Sequence, residues 1–121
     1  MSELRDQIEQ IVETEPITLF MKGTPTFVAC GNSMRALEAL RSVGAPVSAV
    51  NILPDPRIRQ ELSDAYGWPT IPQVFVGGEL IGGADIVQEL AEAGELTQVI
   101  TDKLGDGWQA PGTERTLELA L

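Results

Sequence analysis

The chain has one cysteine, Cys30, in the run Met21-Lys22-Gly23-Thr24-Pro25-Thr26-Phe27-Val28-Ala29-Cys30-Gly31-Asn32-Ser33. That run reads as strand, loop, cysteine, helix. A thiol at a helix N-terminus, with the Lys22 ammonium upstream, is biased toward the thiolate, since helix end and cation both favour negative charge. A thiolate attacks disulfides or binds soft metals such as iron in clusters. With no second cysteine in the chain, either chemistry must take further sulfur from another molecule. Taken singly, a cysteine also has a plainer reading as an inert buried residue.

Two other segments bear on that choice. Trp68-Pro69-Thr70-Ile71-Pro72-Gln73 leads into an apolar strand. Two prolines this close suit a strand entrance and not a strand centre. A cis bond at Pro72 would account for the second. It would leave the Ile71 N–H and C=O free to pair with an extended peptide, a small case of strand addition. A plain proline-rich turn is the alternative. Gly82-Gly83-Ala84-Asp85 opens a helix. Small residues let a ligand approach the backbone, and helix N-terminal N–H groups bind carboxylates. Asp85 either holds a ligand amine or simply caps the helix. Lys22 and Arg59 are a candidate second anion site, or else two solvated surface charges.

Composition narrows the function classes. With 121 residues the chain builds one domain with a core. A net charge of −10 argues against nonspecific nucleic-acid binding. The absence of histidine removes Ser–His and Cys–His bases and histidine-based zinc sites. One cysteine excludes an internal disulfide framework and an iron–sulfur site built from one chain alone. No apolar run approaches the roughly 20 residues of a membrane span. The start, Met1-Ser2-Glu3-Leu4-Arg5-Asp6, is charged and lacks a signal pattern, so a reducing cytoplasm is the expected setting.

These residues must be positioned by a small set of elements. Leu4, Ile8, Ile11 and Val12 recur at helical spacing, predicting a helix from about Glu3 to Glu13 capped by Ser2. Ile17 to Met21 reads as a buried strand. Met34, Leu37, Leu40 and Val43 line a helix that Gly44 can end. Val47 to Ile52 is a second strand. Asp55-Pro56 caps a helix through Tyr66, and Gly67 ends it. Val74-Phe75-Val76 and Glu79-Leu80-Ile81 flank a Gly77-Gly78 hairpin turn. Helices follow from Ala84 to about Ala93 and around Leu96 to Leu104. The first strand pair should be parallel and the last antiparallel, which predicts an α/β fold with a four-stranded mixed sheet flanked by helices. Residues 1–104 form the domain and residues 105–121 a C-terminal tail, whose glycine-rich start would leave it loosely attached. Leu117, Leu119 and Leu121 alternate like a short strand or pack on the surface.

In one register over about Pro16 to Leu104, the chain resembles the monothiol glutaredoxins of the Cys-Gly-Phe-Ser class. The markers are Met21-Lys22-Gly23-Thr24-Pro25, Cys30-Gly31-Asn32-Ser33, Trp68-Pro69-Thr70-Ile71-Pro72-Gln73 and Gly82-Gly83-Ala84-Asp85. The resemblance implies a thioredoxin-like fold, glutathione binding and a 2Fe–2S cluster bridging a homodimer. Carried over by position, Cys30 would be the cluster ligand or thiol nucleophile. Lys22 and Arg59 would hold the glycine carboxylate of glutathione, and Ile71, beside the cis Pro72, would pair with its cysteinyl backbone. Gly83 and Ala84 would receive the γ-glutamyl carboxylate and Asp85 its amine, with Trp68 and Thr70 shaping the groove. Two copies of Cys30 and two glutathione thiolates then supply the four sulfurs a 2Fe–2S cluster needs. BolA-like proteins, which can replace one protomer in the family, and apo iron–sulfur client proteins are the implied partners. The chain departs from the family at Asn32, where the family has phenylalanine, and at Ala84, where it commonly has cysteine.

Three functions follow for test. The first is an iron–sulfur cluster carrier or assembly factor with a role in redox homeostasis. The second is a glutathione-dependent thiol-disulfide oxidoreductase that deglutathionylates proteins without stable cluster binding, toward which the polar Asn32 leans. The third is a redox-inert interaction module, against which the preserved groove residues argue.

Overall fold

The structure is a computed structural model and describes residues 3–121; the Ser2 cap lies outside them. Helix α1 (Glu3–Thr14) buries Leu4, Ile8 and Val12, the stripe set by its apolar spacing. Strand β1 (Ile17–Met21) is buried along its whole length. Two short strands, β2 (Gly23–Thr24) and β3 (Phe27–Val28), pair antiparallel and carry the chain to α2 (Gly31–Ser42). Then come β4 (Val47–Asn51), α3 (Pro56–Tyr66), β5 (Gln73–Val76), β6 (Glu79–Gly82), α4 (Ala84–Glu92), α5 (Leu96–Leu104) and β7 (Arg115–Leu117).

The main sheet has the order β6-β5-β1-β4-β7. β1 pairs parallel with β4 through α2, and antiparallel with β5. The β5–β6 hairpin turns at Gly77 and Gly78, whose φ values of 58° and 83° are those the tight turn requires. The sheet therefore has five strands and not four. The fifth is β7, from the tail, which pairs parallel with β4 over Ser48 to Val50. Nor is the tail loosely attached. Ala110 N–H donates to Gly44 O at 2.8 Å, Trp108 Nε1 donates to Thr101 Oγ1 at 2.9 Å, and Arg41 and Arg115 bind Glu114 and Glu15.

Strand alternation splits the core in two. Ile17, Leu19, Met21, Val47, Ala49, Val74 and Val76 face α2, α4 and α5. Phe20, Val50 and Phe75 face α1 and α3, where Phe20 and Phe75 meet edge to face at 5.6 Å. The register decides where the chemistry sits. Gln73 lies opposite Phe20, so the end of β1 and the entrance to β5 share one edge of the molecule. Gly82 lies opposite Val74, which brings the start of α4 to the same edge.

Candidate functional site

Cys30 is the residue before the first turn of α2, in extended conformation, and is partly exposed. It does not close a capping hydrogen bond, so the first-turn N–H groups remain directed toward its sulfur. The Ser33 amide is the main cause of a pKa held below the ordinary thiol range. Partial burial opposes it, while the Asn32 amide, the Ser33 hydroxyl and, least of all, the Lys22 ammonium reinforce it. The helix end thus outweighs the lysine in favouring thiolate. Ser33 is itself fully buried, and its Oγ accepts from the Lys22 N–H at 3.0 Å, tying the end of β1 to the first turn of α2. Sequence reasoning did not assign Ser33 a role; its place three residues after the cysteine was the available signal.

Beside this thiol lies a groove of about 360 Å³ lined by Asn32, Trp68, Thr70, Ile71, Pro72, Gly83, Ala84, Asp85 and Ile86. It brings together seven of the expected binding residues from two distant segments. The Ile71–Pro72 bond is cis, as expected. Buried Gln73 fixes the preceding loop by donating to Trp68 O at 2.9 Å and Thr70 O at 3.3 Å. Among the described residues the Ile71 N–H and C=O have no hydrogen-bond partner. Gly83 precedes α4 and leaves its first turn without a side-chain cap. A Cβ on Gly83 would stand 3.1 Å from Pro72 O and 3.5 Å from Trp68 Nε1, so glycine is what lets the two segments close together. The Trp68 indole N–H is buried with no partner among the described residues, a donor left over for a ligand.

Lys22 and Arg59 do not line this groove. Arg59 donates to Pro69 O at 3.2 Å and stands on α3, flanking the loop that carries Thr70. Asp85 does not cap α4. It is mostly exposed and pairs with Arg35 at 2.7 Å. Arg35, which sequence reasoning passed over, also donates to Asn32 Oδ1 at 3.0 Å and to Gln88 Oε1 at 2.6 Å. Among the described residues no three His, Cys, Asp or Glu side chains converge as a metal site, and no helix is long and apolar enough to cross a membrane.

A proline-led strand entrance and a glycine-led helix start, forming a groove beside a single thiol at the start of another helix, on a mixed sheet with helices on both faces, define a thioredoxin-fold thiol protein. The glutaredoxin family model matches residues 17–81. Over 97 residues the chain is 46% identical to Glutaredoxin 4 of Haemophilus ducreyi, covering 80% of this chain and 91% of that one. It is 40% identical over 104 residues to the mitochondrial monothiol glutaredoxin-5 of Saccharomyces cerevisiae, covering 84% and 69%. The solution structure of reduced poplar apo GrxS14, 38% identical, superposes with a TM-score of 0.73 over 84% of this chain and 93% of that one. The chain belongs to the glutaredoxin family, in its monothiol branch.

Proposed function

We propose that the protein binds glutathione in the groove beside Cys30 and, with a second copy of itself, holds a 2Fe–2S cluster that it passes to apo iron–sulfur proteins. The observation that carries this reading is the pairing of one thiolate-biased cysteine with an adjacent groove in which the Ile71 backbone and the Trp68 indole N–H have no partner among the described residues. The unpaired Ile71 backbone suits a peptide, the uncapped first turn of α4 suits a carboxylate, and Asp85 suits an amine. Those are the three parts of a tripeptide thiol. Lys22, close enough to act on the Cys30 charge, and Arg59, beside the loop that carries Thr70, would take its far carboxylate.

The donor set fits a shared cluster. Each chain supplies one soft thiolate, and glutathione supplies the other, so two copies complete the four sulfurs. Half the ligands are then held non-covalently, which suits a carrier that accepts and releases its cargo. A BolA-like protein could take the place of one protomer. The free thiol suits a reducing compartment such as the cytoplasm.

Asn32 favours a second reading, because an exposed amide stands where an aromatic ring would shield a cluster. In it, Cys30 thiolate attacks a protein–glutathione mixed disulfide and releases the protein thiol. A second glutathione thiolate then attacks the Cys30–glutathione disulfide, releasing glutathione disulfide and regenerating Cys30. Anaerobic reconstitution with iron, sulfide and glutathione separates the readings. Visible absorption lost in Cys30→Ser supports the carrier. A colourless protein that reduces a glutathionylated peptide selects the reductase.

A further inference from the structure

Arg35 occupies an unusual position relative to the groove. It does not line the groove; it lies in a shallow cleft between α2 and α4, behind two residues that do. Its guanidinium reaches Asn32 Oδ1 on its own helix and Asp85 Oδ1 and Gln88 Oε1 on α4. Asn32 and Arg35 share one face of α2, and Asp85 and Gln88 one face of α4, each three apart. Arginine's planar fork can hold several acceptors in fixed directions at once, which a lysine cannot.

The consequence lies on the other side of Asn32 and Asp85. With Oδ1 of Asn32 committed to Arg35, the amide is oriented and its Nδ2 donor is left over. With Oδ1 of Asp85 committed, its Oδ2 acceptor is left over. Among the described residues neither atom has a partner. The groove lip therefore presents one donor and one acceptor side by side, from first turns of two different helices.

We infer that Arg35, from behind the groove, sets Asn32 as a second recognition group for the amino-acid head whose ammonium Asp85 takes in the reading above, Asn32 donating to that head's carboxylate while Arg35 holds both side chains in place. This rests on the groove being a glutathione site. It gives Asn32 a binding role and makes Arg35 a positioning residue that touches no ligand.

NMR titration of the reduced, cluster-free protein with glutathione, and with N-acetylcysteinylglycine, which lacks the γ-glutamyl head and carries no free ammonium, tests this. Asn32→Asp, at an exposed position, replaces the donor with a repelling carboxylate and should weaken glutathione binding by roughly tenfold. Arg35→Ala, and Arg35→Lys with its charge kept, should each weaken it by about fivefold. N-acetylcysteinylglycine affinity should fall far less than glutathione affinity in all three, so the preference for glutathione shrinks. Equal losses for both peptides would assign the residues a merely structural role and overturn the inference. So would unchanged glutathione affinity, or tighter binding in Arg35→Ala, which would mark Arg35 as a competitor for Asp85. Wild-type protein that binds neither peptide would instead overturn the glutathione reading, and the inference with it.

Discussion

At the scale of residues, the site is a thiol that its helix biases toward the thiolate. The Ser33 amide and hydroxyl lower the Cys30 pKa more than the Lys22 charge does. The native thiolate fraction therefore persists to lower pH than in an unfolded chain. Because the folded pKa is the depressed one, the stabilisation it brings is complete above the unfolded thiol's pKa and fades as pH falls through the native value. Alkylation rate against pH should show a midpoint below that of the urea-unfolded protein. Ser33→Ala should raise that midpoint further than Lys22→Ala does; the reverse order would assign the activation to the lysine. Ser33→Ala also strips the acceptor from the Lys22 N–H, at a cost of about 1–3 kcal/mol in denaturant unfolding. Lys22→Ala should instead shorten the lifetime of a reconstituted cluster, followed by visible absorption, through weaker glutathione retention; an unchanged lifetime contradicts its carboxylate role. Cys30, Ile71–Pro72 and Gly83 were legible because their chemistry follows from residue type and local order. The Arg35 bridge was not, since Asp85 lies 50 positions from it and no local pattern joins them.

At the scale of elements, two helix starts and one strand entrance meet because β1, β5 and β6 fix their register. The hairpin, the parallel β1–β4 pair and the Asp55 cap of α3, where the carboxylate accepts from Arg57 N–H at 2.9 Å, all followed from turn residues and apolar spacing. β7 did not. It is three residues long, mostly exposed, and follows a glycine-rich stretch, so neither period nor propensity marks it. Its place comes from tertiary pairing with β4. Truncation after Leu104 should remove the packing of Trp108, Leu117 and Leu119 and destabilise the fold by about 2–4 kcal/mol in chemical denaturation. It should also uncover the edge of β4 and promote self-association on size exclusion. Full stability and monodispersity in the truncated chain would show the tail to be dispensable.

At the scale of the whole molecule, the single thiol is the organising fact of the proposed function. One chain offers one thiolate, and no other site among the described residues gathers metal ligands. The cysteine count made it legible that a shared cluster, as proposed, would need sulfur from outside the chain, while a single chain carries no record of the partner that would supply it. Two copies of net charge −10 repel at long range, so the proposed homodimer needs short-range bonding, which a cluster shared between the thiols would supply. Native mass spectrometry after anaerobic reconstitution tests this most directly. The expected species is a dimer carrying one 2Fe–2S unit and two glutathiones, absent without glutathione and absent in Cys30→Ser. A cluster-bearing monomer, or a cluster-bearing dimer that forms without glutathione or without Cys30, would contradict the shared-thiolate site.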